Sequence, residues 1–359
     1  MNRLRSTLLI SGMLAASLAA GQTRRKVIID QDAMGPAGTD QNSMLVFIQS
    51  PQAEPLGITV VTGDGWRDEE VAHTLRMLEI IGRTDIPVLP GAVFPLVNSQ
   101  EGIEQWEKLH GRIRYMGAWF VGYPGWKYHD PFVVPELKEG NPATKPAGED
   151  AAHFMVRMAR QYPHQVTIYA AGPLTNLALA LELDPQLAEL TSELVLMGGS
   201  MNPLTDNPEY LHSPQREFNF WFDPEATHKV LHAHWPKITC TTVDISVKTH
   251  QSKAMLDEIA KVQTPLAQYV SQYTRPGQYM WDELAAAAWV DPSIITREEM
   301  IYLDADIDHG AGYGNTLSWA PGDEPGLGEQ LVHVQQDLDT QKLYSLFVRL
   351  MTSPTPRPR

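Results

Sequence analysis

The chain has 359 residues, of which 43% are hydrophobic and 20% are charged, with 26 glycines and 27 prolines. This mixture supports a large buried core and excludes a disordered, collagen-like or coiled-coil chain. The formal net charge of −15 argues against a nucleic-acid groove or an anionic membrane surface as a partner. The single cysteine, Cys240, excludes an internal disulfide and a cysteine-cluster zinc site.

The first residues predict an export signal. Arg3 and Arg5 precede an apolar run over 6–20, which has the length of a signal-peptide core and is short for a membrane span. Small residues follow, so we expect cleavage after Ala19 or Gly21. We therefore expect the first 21 residues to be a signal peptide, and the mature protein to be soluble in the periplasm or the medium, without membrane contact. A buried N-terminal helix is the alternative.

From residue 24 onward, short apolar strands alternate with helices. Strands are predicted at 26–30, 56–61, 86–89, 166–170, 194–197 and 238–243. Helices are predicted over 39–49, 69–81 and 151–160, and further helices opening at Pro173, Asp223 and Trp281. Repeated units of this kind indicate an α/β fold: a mainly parallel central sheet flanked by helices, Rossmann-like and open, in a single domain over 24–351.

Between residues 98 and 144 the regular pattern lapses into a stretch rich in aromatic residues, among them Trp106, Trp119 and Trp126. A stretch of this length without periodicity is usually functional or disordered, and the aromatic residues argue against disorder. We expect an insertion at the mouth of a functional site, with a simple packed flap as the alternative. The last residues, 352–359, contain three prolines and are predicted to fray.

Acidic residues follow several of the predicted strands. Asp30, Asp32 and Asp40 follow the first strand, Asp64 follows the second, and Asp282 opens a late helix. Active sites of parallel sheets lie at the carboxyl ends of the strands, so these acids are expected to converge. They repel one another unless protons or a cation neutralise them, and oxygen ligands favour calcium or magnesium over zinc. Capping of a helix or turn by an aspartate is the alternative.

Other polar residues are predicted to have ordinary structural roles. Most of the twelve histidines, including the His232 and His234 pair, are expected to be surface or capping residues without metal-ligand spacing. The acidic run over 68–70 is expected only to complement a helix dipole. Cys240 lies in an apolar strand and is expected to be buried and inert.

Several motifs, taken in order, resemble those of the inosine–uridine-preferring nucleoside hydrolase family: VIIDQD, LGITVVTGD, RMLEIIGRTDIPVLPGA, AAGPLTNLALAL, LVLMGGS, EFNFWFDPEA and WDELAAAA. The resemblance covers about residues 26–350, and the ordered series is specific where a single motif would not be. It implies a parallel-sheet α/β fold with one calcium ion in an acidic pocket. It also implies hydrolysis of the N-glycosidic bond of ribonucleosides to ribose and free base.

The resemblance implies roles for individual residues. Asp32 matches the aspartate that ligates calcium and acts as the catalytic base on the attacking water. Asp282 matches a second metal carboxylate, and Ala171 stands where a backbone carbonyl ligates the metal. Glu217 and Asn219 match residues that hold the ribose hydroxyls.

The first acidic motif departs from the family pattern. Paired aspartates usually provide a ribose contact and a calcium ligand, and here a longer loop ends in Asp40, Gln41 and Asn42. Either Asp40 enters the metal shell or Gln41 ligates through its amide oxygen; a weakened metal site is the third option. We favour Asp40, because a carboxylate binds a hard cation more strongly than an amide does. Asp64 replaces the usual asparagine near the ribose, and Asp30 is expected to support the loop.

A second departure concerns the leaving base. Trp281 stands where many family members have a histidine before the late metal aspartate. An indole does not protonate the base at neutral pH, but it stacks on a purine, which resembles the purine-preferring branch of the family. Trp66, Trp221 or a tryptophan of the 98–144 insertion is expected to supply the opposing face.

We therefore predict a calcium-dependent, exported ribonucleoside hydrolase that takes small-molecule nucleosides and favours purines. One alternative is a hydrolase of a different N-ribosyl compound. Another alternative is a non-catalytic nucleoside-binding protein. The departures from the family pattern at Gln41 and Asp64 leave this alternative open. Family members are often dimers or tetramers, so the resemblance allows a homo-oligomer, although no segment identifies an interface.

Overall fold

The computed structural model describes residues 24–119 and 129–357. The predicted signal peptide and Trp126 of the aromatic insertion lie outside the described residues. Within the described ranges, no helix has both the length and the apolar character needed to cross a membrane.

The described strands form one nine-stranded sheet in the order β3-β2-β1-β4-β5-β6-β9-β7-β8. The strands are β1 (Arg25–Gln31), β2 (Ala53–Val60), β3 (Val88–Pro90), β4 (Val166–Ala171), β5 (Glu193–Met197), β6 (Ile238–Thr241), β7 (Ile295–Ala305), β8 (Thr316–Trp319) and β9 (Leu331–Leu338). Strands β1 to β6 and β9 pair in parallel, whereas β7 runs antiparallel to both of its neighbours, β9 and β8. The predicted mainly parallel α/β sheet is confirmed, with an antiparallel edge that the sequence pattern did not predict.

Helices cover both faces of this sheet. They are α1 (Thr39–Gln49), α2 (Arg67–Ile81), α3 (Gln100–His110), α4 (Ala151–Gln161), α5 (Thr175–Leu183), α6 (Leu187–Leu190), α7 (Phe218–Phe222), α8 (Pro224–Leu231), α9 (Val243–Ser246), α10 (Lys253–Ile259), α11 (Pro265–Tyr273), α12 (Trp281–Val290) and α13 (Thr340–Thr352). Helix α1 begins and ends as predicted. Pro173, however, precedes α5 instead of lying in its first turn, since Leu174 is the N-cap residue.

Alternation along the buried strands divides the core into two layers. In β1, Val27 and Ile29 pack against α1, α2, α12 and α13, and Ile28 packs against α4, α5 and α8 on the other face. Side chains of a strand point to opposite faces in turn, so a strand covered on both faces is apolar throughout. Cys240 in β6 is fully buried, as predicted.

The first part of the aromatic insertion forms a third packed cluster. Part of this stretch, which was expected to be irregular, forms helix α3. Ser99 caps the helix by accepting a hydrogen bond from Gly102 N at 3.1 Å. Trp106 and Trp119 are buried there against α7, together with Trp221 and Phe222. With only Ile103 and Trp106 of α3 buried, its apolar face is too short to register as helical periodicity.

The two-layer core predicts that replacing two leucines of α5 by alanine lowers the free energy of unfolding by different amounts. Leu177 is fully buried and Leu179 is 37% exposed. Leu177→Ala should lower the free energy of unfolding by about 2–5 kcal/mol, because it leaves a cavity between the helix and the sheet. Leu179→Ala, the matched control, should cost less than about 1 kcal/mol. Urea titrations of both variants measure this, and equal losses would contradict the layer assignment.

Candidate active site

Four aspartates from four elements meet at the carboxyl ends of the central strands. Asp32 directly follows β1, Asp64 lies in the turn after β2, and Asp40 and Asp282 stand in the first turns of α1 and α12. The backbone N–H of Asp64 donates to Asp32 Oδ2 at 3.1 Å, and the carboxyl groups of Asp40 and Asp282 are hydrogen-bonded neighbours. Asp32, Asp40 and Asp282 are 3–4% exposed, and Asp64 is partly exposed.

Burial raises the pKa of each of these carboxyls. The pKa values of Asp32 and Asp40 lie well above the ordinary range because of desolvation, and the charges of neighbouring acids raise them further. Desolvation raises the pKa of Asp64 to about 6, against a hydrogen bond from Tyr115, and that of Asp282 to about 7. Among the described residues, none of the four forms a salt bridge. The pocket therefore concentrates negative charge that a hard divalent cation would neutralise.

Two helix N-termini and one amide soften this repulsion. The positive ends of α1 and α12 face Asp40 and Asp282, which favours their ionised forms. Gln31, the last residue of β1, donates from Nε2 to Asp282 Oδ2 at 2.9 Å and accepts from Asp32 N at 3.1 Å. We did not single out Gln31 from the sequence, although it stands between two acids that we did single out, Asp30 and Asp32.

Asp40 and Gln41 point to different places. The amide oxygen of Gln41 accepts hydrogen bonds from Ala37 N at 2.8 Å and from the hydroxyl of Tyr269. Asp40 instead lies beside Asp282, whose charge raises the pKa of the Asp40 carboxyl. This arrangement favours the carboxylate alternative, and metal ligation by Asp40 stays a prediction.

Glycines on two sides hold the Asp32 side chain in place. A Cβ at Gly63 would overlap the Asp32 carboxylate, and a Cβ at Gly172 would lie 2.8 Å from both Asp32 N and Oδ1. Ala171 ends β4 beside this point and pairs in register with Gln31. Its backbone carbonyl therefore belongs to the strand end next to Asp32, where the metal contact was predicted.

Glu217 and Asn219 lie at the start of α7, beyond the end of β5. The Glu217 carboxylate accepts from Gly199 N at 2.8 Å, Asn219 N at 2.9 Å and Phe220 N at 3.0 Å, so it caps the helix. Burial raises its pKa to about 7, and its charge contributes to the raised pKa of Asp282. The Asn219 amide donates to Met197 O at 3.0 Å. Both predicted ribose contacts thus border the acidic pocket.

The aromatic surroundings of Trp281 differ from the prediction. Trp281 is partly buried beside Asp282, and the rings in contact with it are Tyr279 at 4.7 Å and Tyr210 at 6.0 Å between centroids. Trp66 and Trp221, expected to face the base, are 4% and 1% exposed in the third core cluster. Packing takes up most of their apolar surface, although Trp221 also lines a pocket with Tyr115 and Phe218, so a role for Trp221 facing the base stays a prediction.

Two further residues, Tyr115 and Glu70, shape the pocket without having been predicted. Tyr115 of the insertion hydrogen-bonds to Asp64. Glu70 was read as part of a dipole-complementing run, yet it is buried, accepts from Gly65 N at 2.6 Å and raises the pKa of Asp32. His73 is also buried, in contact with Glu139, unlike the surface role expected of most histidines.

Asp30 lies one layer below the pocket. It accepts hydrogen bonds from Thr59 Oγ1 at 2.6 Å and Asn176 Nδ2 at 2.8 Å, and burial raises its pKa to about 7. Asn176 in turn accepts from Ala92 N at 2.8 Å. Asp30 therefore ties β1 to β2 and α5, in keeping with the supporting role expected of it.

Comparison with known proteins gives a consistent result. The inosine-uridine preferring nucleoside hydrolase family model matches residues 27–345. The inosine-uridine preferring nucleoside hydrolase of Leishmania major is 28% identical over 305 residues, covering 82% of this chain and 87% of that protein. A pyrimidine-specific ribonucleoside hydrolase of Shewanella woodyi is 32% identical over 250 residues, covering 69% of each.

Solved structures share the fold. A purine-preferring ribonucleoside hydrolase from Gardnerella vaginalis superposes with a TM-score of 0.70 at 19% identity, covering 91% of this chain and 98% of that one. An inosine-guanosine nucleoside hydrolase superposes with a TM-score of 0.73 at 20% identity, covering 92% and 99%. At these identities the likeness concerns the fold.

The two glycines beside Asp32 yield a test of the pocket. Gly63→Ala should displace the Asp32 carboxylate and weaken calcium binding by about tenfold or more, as loss of ligand orientation does at metal sites. Gly148→Ala is the control, since a Cβ there meets nothing within 4 Å. Calorimetric titration with calcium measures the effect. Wild-type affinity in the Gly63 variant, or no calcium binding by the wild type, would contradict a cation site built around Asp32.

Proposed function

This chain belongs to the inosine-uridine preferring nucleoside hydrolase family, and we propose that it is a calcium-dependent, exported ribonucleoside hydrolase that favours purines. Family membership makes it a hydrolase acting on N-glycosyl compounds. The observation that best supports the finer proposal is the convergence of Asp32, Asp40, Asp64 and Asp282 in one pocket, where desolvation raises the pKa of all four and the charges of Asp32, Asp64 and Asp282 raise those of their neighbours further.

The donor set suits a hard cation. Asp32, Asp40 and Asp282, with the backbone carbonyl of Ala171, would hold calcium through oxygen atoms alone, which is the ligand type that calcium prefers. When bound, calcium supplies positive charge that orients hydroxyl oxygens and increases the acidity of a water molecule. The same charge opposes the repulsion among the aspartates, so it favours their ionised forms.

Asp32 is the proposed catalytic base. Its carboxylate is oriented by the Asp64 N–H and confined by Gly63 and Gly172, so it has a defined direction in the pocket. A base must be ionised to accept a proton, and burial beside like charges opposes ionisation. The cation is therefore needed for Asp32 to take a proton from the attacking water near neutral pH.

The ribose would lie between the aspartates and α7. Asp40, Asp64, Glu217 and Asn219 would bind its hydroxyl groups. Cleavage of a ribosyl bond passes through an oxocarbenium-like state, whose positive charge nearby carboxylates stabilise. The proposed reaction would therefore use the same negative potential that makes these aspartates repel one another.

Trp281 is the proposed platform for the base. Its indole, with Tyr279 and Tyr210 in contact, offers a broad aromatic surface next to Asp282. A purine presents more area for stacking than a pyrimidine does, which supports a purine preference. The proteins compared above include a purine-preferring and a pyrimidine-specific enzyme. The proposed base preference therefore rests on the residues of this chain and not on family membership. The predicted signal peptide supports export.

The first experiment is ribose release from inosine by the purified mature protein. We expect release with calcium and its loss after chelation. Asp32→Asn should reduce turnover below about a tenth of wild type, since removal of a general base typically costs about 10²–10⁴-fold. Asp257→Asn, at an exposed aspartate of α10, is the control. Intact inosine returned by a folded, calcium-loaded wild type would instead indicate a binding protein, and an active Asp32→Asn would remove Asp32 as the base.

Base preference depends on Trp281 in this proposal. Trp281→Ala should lower kcat/KM for inosine by about tenfold or more, because stacking on an aromatic ring contributes about 1–3 kcal/mol per base. The loss for uridine should be smaller. Trp319→Ala, at a partly buried tryptophan of β8, is the matched control. Equal losses for inosine and uridine would contradict a stacking role that selects purines.

A further inference from the structure

Two histidines and an aspartate meet between α8 and the antiparallel edge of the sheet. His228 lies in the last turn of α8, His232 is its C-cap residue, and Asp304 lies near the end of β7. Asp304 Oδ2 is 2.9 Å from both His228 Nδ1 and His232 Nε2. One ligand atom from each of the three residues lies within 4.8 Å of the other two.

We propose that His228, His232 and Asp304 bind a Zn2+ ion at a second metal site. The site shares no residue with the acidic pocket, and four strands of the sheet lie between β1 and β7. The proposal therefore stands independently of the nucleoside hydrolase activity. His232 is the C-cap residue of α8, in keeping with the capping role expected of it, and the proposal adds that its spacing from His228 suits a metal, because positions four apart face the same side of a helix.

The donor set suits zinc and not calcium. Two imidazole nitrogens and one carboxylate oxygen are the ligands that zinc takes when a fourth, open position is left to water. Zinc bonds of about 2.0–2.1 Å in a tetrahedron need ligand atoms roughly 3.3 Å apart. The two contacts of 2.9 Å would thus have to open by a few tenths of an ångström, and the two imidazole nitrogens, which lie within 4.8 Å of each other, would have to reach the same separation.

Exposure allows an ion to reach the site. The side chains of His228 and His232 are 34% and 17% exposed, whereas that of Asp304 is 8% exposed. Water can therefore occupy the fourth position from the solvent side. Gly328 lies next to His232 Nδ1, the ring nitrogen that is not the proposed ligand, since a Cβ at Gly328 would be 3.3 Å from this atom.

The surrounding structure orients the three ligands in advance. The Asp304 carboxylate also accepts a hydrogen bond from Ala305 N at 2.8 Å. Helix α8 is anchored at its start by Asp223, which accepts from Ala226 N at 3.1 Å and from Thr175 Oγ1 at 2.6 Å. Ligands held on a capped helix and a paired strand need little rearrangement to bind an ion.

Negative charge around the site favours a cation. Glu225 and Glu329, with Asp304, raise the pKa of His228, and Tyr313 donates to the Glu225 carboxylate at 3.0 Å. A proton on His228 satisfies the same environment, so protons and zinc compete for one position. Bound zinc would join α8 to β7 more firmly than the hydrogen bonds do.

The test titrates Zn2+, and Co2+ as its spectroscopic substitute, into the metal-stripped full chain kept in excess calcium to occupy the acidic pocket. We expect one Zn2+ per chain, a rise in Tm, and the visible absorption of four- or five-coordinate cobalt. His232→Ala should weaken zinc binding by more than the roughly 10–100-fold that loss of an outer-shell partner costs. His234→Ala, at an exposed histidine two positions away, is the matched control.

Asp304→Asn provides a second variant of unchanged volume if His232→Ala fails to fold, and it should lose affinity as well. Ribose release in calcium is measured in parallel and should be unchanged in a folded His232→Ala protein. A wild type that binds no Zn2+ at this stoichiometry overturns the proposal. So does an affinity that falls as much in His234→Ala as in His232→Ala.

Discussion

Repulsion among buried carboxylates is the constraint on which the rest of this structure depends. Asp32, Asp40 and Asp282 are withdrawn from water without an ion pair among the described residues. The pKa of Asp282 rises from 3.8 to about 7 on folding, so its contribution to the free energy of unfolding falls as the pH rises through that interval. The helix N-termini and Gln31 offset part of this cost. The proposed cation would offset the remainder at neutral pH.

Much of the fold follows from the sequence because its buried strands are apolar on both faces. Periodicity placed α1 at its observed bounds and β1 to β6 within a few residues, whereas β9, which also pairs in parallel, was not predicted. The antiparallel edge was missed because β7 is mostly exposed over its first half, so it lacks the apolar run of a central strand. Helix α3 was missed for the related reason that only Ile103 and Trp106 of it are buried.

The pocket was only partly predictable. Acids that follow a strand or open a helix, such as Asp32, Asp64 and Asp282, are visible locally, and the ordered motifs implied their roles and added Glu217. The contacts that orient these acids join positions that are distant in the sequence. Nothing in the sequence around Tyr115 or Glu70 indicates which residue it contacts. The same holds for His228 and Asp304, which are 76 positions apart, so only the helical spacing of two histidines hinted at their meeting.

Gln31 and Asp282 touch although 251 positions separate them along the chain. The pocket therefore cannot form until α12 has been synthesised, because β1 and α1 provide only part of its acids. Any stabilisation that an ion provides there requires this whole span of the chain to be folded. For a chain that crosses a membrane unfolded, the ion would then be acquired from the compartment of arrival, whatever the concentration at the place of synthesis.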